Sequence, residues 1–124
     1  MADEKQLLEK EWLQHAQDDL ESAQIILKES NNYHISAYHS HQALEKLFKW
    51  FLLKNGQKFP FIHDLKELFR LIVKPAKIDD KFEEISFIDD LYPQLRYPTG
   101  EQITREEAER SLVIAESIFK LLKS

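Results

Sequence analysis

Apolar positions recur at helical spacing along most of the chain. Between residues 4 and 29, Leu8, Trp12, Ala16, Ala23, Ile26 and Leu27 form one stripe, which predicts a first helix over that range. Asp19 falls inside the stripe. An acid on a core-facing stripe needs a partner, either a local one at the stripe's edge or a base on the next helix, Lys46 or His41. Ser30-Asn31-Asn32 then makes a short turn that can cap a second helix and favours an antiparallel hairpin. The second helix is predicted from Tyr33 to Asn55, a run without Gly or Pro that ends in Asn55-Gly56. Its strongest stripe is Tyr33, Ala37, Leu44, Leu47, Phe48 and Phe51, but its opposite side mixes Ile35, Tyr38, Trp50 and Leu53 with Gln42, Lys46 and Lys49. A helix apolar on most sides must be covered on most sides, by the other helices or by a second copy of the chain.

After an aromatic loop, Asp64 and Glu67 mark a third, short helix, expected to stop before Pro75. Asp79 or Asp80 starts a fourth, with Phe82, Ile85, Ile88, Tyr92 and Leu95 on one face and a kink or early end expected at Pro93. Residues 96–100 read as a loop. Thr104 and Glu107 form a capping box for the last helix, whose seam is Ala108, Leu112, Ala115, Phe119 and Leu122. No segment keeps a period of two, so the pattern predicts an all-α, up-and-down bundle of about five helices, four of them long enough to matter.

Length adds one bound: 124 residues suit a single domain over 1–124. The absence of Cys excludes disulfides, thiolate chemistry and cysteine-ligated zinc, and fits a cytoplasmic setting. No apolar run reaches membrane-spanning length, and the residues MADEKQ do not read as a signal peptide. A net charge of −5 disfavours nonspecific DNA binding while leaving room for a local basic patch.

Candidate chemistry is sparse. The 5 His lack the i, i+4 spacing of a helical metal pair, and no Glu-x-x-His occurs, so no metal site is expected. The 2 Gly are isolated, so there is no phosphate loop, and no cofactor motif is present. His34 and His41 fall roughly on one side of the second helix and His39 on another. Two groupings stand out. Gln42, Lys46 and Lys49, with Glu45 beside Gln42, form either a solvated or dimer-facing polar strip or a phosphate contact. Arg96-Tyr97-Pro98 can stack a base and hold a phosphate, or can pack on the last helix with Arg96 paired to an acid.

These pieces together resemble the HEPN domain family (higher eukaryotes and prokaryotes nucleotide-binding). The resemblance rests on AQDDL at 16–20, AYHSHQALEKLFKWFLL at 37–53, FPFIHDLKEL at 59–68 and RYP at 96–98. The chain is similar to the family over roughly residues 10 to 122, with Gln42, Ala43, Glu45, Lys46 and then His63-Asp64-Leu65 the most specific combination. The resemblance implies a helical bundle that commonly pairs as a homodimer, and a prokaryotic stand-alone protein often accompanied by a minimal nucleotidyltransferase as complex or toxin–antitoxin partner. It implies nucleotide or RNA as ligand, with Lys46, Lys49, His63, Arg96 and Tyr97 as candidate contacts and Asp19, Gln42 and Glu45 as structural polar positions. Some members are metal-independent ribonucleases that use an Arg followed four to six residues later by a His. Here Arg96 has no such His, because none occurs after His63, so no residue is assigned a catalytic role and a noncatalytic module is expected. The alternative is a ribonuclease toxin using Arg96.

Overall fold

The computed structural model describes residues 3–58, 61, 62, 64–96 and 102–123. Five α-helices and no strand appear among them: α1 (Glu4–Glu29), α2 (Tyr33–Lys54), α3 (Leu65–Ala76), α4 (Phe82–Arg96, entered through a 3-10 turn at Asp79–Lys81) and α5 (Arg105–Lys123). The helices begin where side chains can take up free backbone donors. The Asp3 carboxylate accepts from Gln6 N at 2.8 Å, and Asp64 accepts from Lys66 N and Glu67 N at 2.9 and 3.2 Å. At α5 the predicted box closes in both directions. Glu107 N donates to Thr104 Oγ1 at 3.1 Å, and Thr104 N donates to Glu107 Oε1 at 2.9 Å. Thr104→Ala is expected to cost about 1 kcal/mol in chemical denaturation; a loss below a few tenths would show the cap to be dispensable.

Three local expectations are corrected. Ser30-Asn31-Asn32 does not cap α2 through a side chain, since Asn32 makes no capping bond there. Ser30 instead finishes α1: its hydroxyl donates to the Ile26 carbonyl at 2.7 Å and accepts from Asn32 N at 3.1 Å. The third helix does not stop before Pro75 but includes it and ends at Ala76. Pro75 sits in the last turn, where the missing N–H deprives only the carbonyl of Leu71, an exposed residue that water reaches. Lys77 then adopts a left-handed conformation (φ 57°, ψ 43°), and Ile78 N bonds the Val73 carbonyl at 3.3 Å, a Schellman ending built on a lysine. Of the kink or early end expected at Pro93, the early end does not occur in α4. The helix runs on to Arg96, because Leu91 and Leu95, on either side of the proline, are buried with Ala37, Ile103 and Ala108.

α2 is the spine. Twelve of its 22 residues are buried, and α1, α3, α4 and α5 all pack on it, so the wrapping its sequence demanded comes from within one chain. α1 runs antiparallel to it: the Ser36 hydroxyl donates to the Ala23 carbonyl at 2.8 Å near one end, and Lys5 approaches Gly56 at the other. Leu44, Leu47 and Phe48 are fully buried in the main core with Leu68, Ile72, Ile88, Ile118 and Leu122. Each such side chain contributes about 1.5–3 kcal/mol of burial. The seam expected on α5 is buried throughout, widened by Ser111, Ile114 and Ile118.

Candidate functional site

Two acids that interrupt apolar stripes organise the polar chemistry. On α1, Asp19 meets two bases of α2. Its Oδ2 accepts from Lys46 Nζ at 2.5 Å and its Oδ1 accepts from His39 Nδ1 at 2.8 Å. One carboxylate thus serves two donors, with side-chain exposures of 28% for His39, 13% for Asp19 and 27% for Lys46. Lys46 was one of the two partners expected for Asp19; His41 is not the other. Because Nδ1 carries the proton, neutral His39 has its lone pair on Nε2.

The second acid is Asp89 of α4, at the start of α3. Its Oδ1 accepts from Leu65 N at 3.1 Å and from His41 Nε2 at 3.3 Å, and its Oδ2 accepts from Lys66 N at 3.3 Å. Burial is the largest single influence on Asp89 and pushes its pKa up. The hydrogen bonds from His41, Asp64 and the two backbone N–H groups together outweigh it and hold the carboxyl at about 2. Asp64 moves the other way, raised first by its hydrogen bond to Asp89 and then by burial. A bond between two carboxyls needs one proton, and Asp64 is the one that keeps it longer. His41 is fully buried, its ring stacked on Tyr92 at 4.2 Å. The N–H groups at the start of α3, where a phosphate could otherwise sit, are already taken by carboxylates of the chain itself.

Glu45 and Lys49 do not reach the mixed face of α2 where a dimer or ligand surface was expected. They pair at 3.0 Å with side chains only 5% and 6% exposed, and the Lys49 ammonium lies 5.5 Å from the Trp12 ring centroid. The reason is steric. Trp12 of α1 lies over this turn of α2, and the lysine follows its stem inward to the indole and the glutamate. Gln42 is half-buried beside them. Arg96 is the last residue of α4, directly after Leu95, whose carbonyl accepts from His34 Nε2 at 2.8 Å. His34 and Lys46 lie about 18 Å apart along α2, so the Arg96 end and the Lys46 end are separate places. His63 and Tyr97 lie outside the described residues.

Sequence reading missed His39 as a partner of Asp19, and missed the Asp89–His41 pair altogether. The signal for the second was available: Asp89 interrupts the stripe of Ile85, Ile88 and Tyr92, as Asp19 interrupts its own, and His41 sits between Ala37 and Leu44 on the core stripe of α2. Among the described residues, no group of three or more His, Asp or Glu is placed to hold a metal ion, and no helix is long and apolar enough to cross a membrane.

Comparison with known proteins bears on this arrangement. A family model described as HEPN domain matches residues 9–124. The chain is 32% identical over 129 residues, covering 90% of its own length and 84% of the relative's, to the Methanocaldococcus jannaschii protein named "Putative toxin MJ1304". The crystal structure of TT1696 from Thermus thermophilus matches with a TM-score of 0.81 at 26% identity, over 93% of this chain and 95% of that one. That of ST0689, an archaeal HEPN homologue, matches with a TM-score of 0.72 at 25% identity, over 93% and 94%.

Proposed function

The chain belongs to the HEPN domain family, and on that premise we propose that it is the HEPN half of a toxin–antitoxin-type pair: a cytoplasmic homodimer that binds a nucleotide or RNA and a minimal nucleotidyltransferase, without cleaving RNA by the family's Arg and His mechanism. The observation that carries the noncatalytic part is the missing imidazole. No His follows Arg96, and His41, on the helix that α4 packs against, is buried and bonded to Asp89. The likeness to a protein named as a toxin supports the paired setting. A second reading, a ribonuclease using Arg96, is favoured by one contact. His34 bonds the carbonyl of Leu95, which brings an imidazole beside the residue preceding Arg96.

The readings separate in one set of experiments. Calorimetry of the pure protein with ATP, with short RNA and with a co-expressed minimal nucleotidyltransferase should show binding of at least one. Silence with all three would end the module reading. Growth arrest on expression, with RNA cleavage that is lost in Arg96→Ala and His34→Ala, would favour the ribonuclease; harmless expression and intact RNA would sink it.

A further inference from the structure

At the edge of its core-facing stripe, α1 carries Leu8, Glu11, Trp12 and His15 at i, i+3, i+4 and i+7, so they share one helix face. Together with Lys46 of α2 they line a groove of about 270 Å³, distinct from both the Arg96 end and the carboxyl pair under α3. The volume falls just under the lower bound of small-molecule pockets, about 300 Å³, and suits one compact ligand.

We propose that this groove binds one ribonucleotide unit, as a free ribonucleoside monophosphate or as one residue of an RNA strand. The inference rests on the nucleotide-binding reading above and gives it a place. Trp12 is half-buried and held by the Lys49 cation against its ring, and Leu8 beside it is 43% exposed, so an aromatic and an apolar side chain present a surface on which a base can stack. At the other side of the groove, Lys46 gives one of its three N–H donors to Asp19, which fixes the ammonium in place; the other two have no partner among the described residues. Asp19 takes His39 on its other oxygen, so it holds Lys46 through one oxygen only and leaves the rest of the ammonium facing the groove. The His15 imidazole, exposed and without a partner among the described residues, lines the same space, and a ring N–H beside the Lys46 ammonium suits a phosphate. Glu11 likewise has no partner among the described residues, and as an acceptor it suits ribose hydroxyls, which is why the groove favours a ribonucleotide over its deoxy form.

The test uses the full chain, with AMP and UMP in one arm and a short unstructured RNA in the other. Binding is followed by calorimetry and by the Trp12 indole NMR signal. His15→Ala and Lys46→Gln alter part-exposed side chains, and circular dichroism verifies that both variants fold. The expected result is a shift of the Trp12 signal by AMP, UMP or RNA, an affinity lowered about tenfold in each variant, as for loss of one charge-assisted hydrogen bond, and weaker binding of dAMP than of AMP. The arm that shifts Trp12 tells the free nucleotide from the strand. Binding that leaves the Trp12 signal still and is equal in both variants would overturn this site and leave the nucleotide-binding reading standing. No binding of any nucleotide or RNA by the wild type would overturn both. Equal binding of AMP and dAMP would overturn the role of Glu11.

Discussion

Lys49→Met should destabilise the bundle by about 3–5 kcal/mol, the cost of leaving one charge of a buried pair without its partner. The methionine keeps the stem of the lysine and its packing near Trp12, so the loss isolates the ammonium. Its partner is Glu45, at 3.0 Å and nearly as buried. Glu45→Leu combined with Lys49→Met should recover most of that loss, since a buried ion pair replaced as a whole by apolar side chains is often close to neutral. Urea denaturation of the two single variants and the double variant completes the cycle. If Lys49→Met is as stable as the wild type but loses affinity for nucleotide or RNA, Lys49 is a ligand contact and the buried-pair account is wrong.

Asp89→Asn carries the second large effect, about 2–3 kcal/mol at neutral pH, because it removes the charged acceptor shared by His41 and the first two N–H groups of α3. Its pH dependence has a definite sign. Asp89 has a depressed pKa, so its contribution is fully present above the ordinary carboxylate value of 3.8 and is lost as the pH falls toward about 2. Asp64 has a raised pKa, so ionising it makes the fold less stable than with Asp64 protonated, and acidification relieves that loss before the Asp89 contribution is lost. Denaturation midpoints measured from pH 7 to pH 2 should therefore show, between 3.8 and 2, a fall in the wild type that Asp89→Asn lacks. An unchanged acid profile in the variant would mean that Asp89 is not the group that titrates there.

The helices were legible because the signals that make them are local. A cap such as Thr104 with Glu107, or Asp64 with the two N–H groups after it, acts within four residues, and the stripes of α1 and α5 need only a period of 3.6. The two prolines misled for the opposite reason. Pro75 and Pro93 break helices by local rules, but an exposed last turn at one and the burial of Leu91 and Leu95 around the other make helix the better choice in the assembled bundle. The acids Asp19 and Asp89 were legible as anomalies in their stripes, and their partners were not. Sequence spacing gives the angle of His39 or His41 around α2, but not which helix stands at that angle.

Taken alone, the amino-acid sequence determined an all-helical chain, four of its five helix starts and stops to within a residue or two, the apolar spine at Tyr33–Lys54 and the lack of a His after Arg96. All of these depend on neighbours along the chain. Only the tertiary structure decided that this spine is covered by its own chain, that Lys49 turns inward to Glu45 while Lys46 stays at the surface with Asp19, and that Trp12, His15 and Lys46 line one groove. Those outcomes depend on which helices flank each turn of α2, and a charge is buried or left in water according to what stands opposite it, many residues away in sequence.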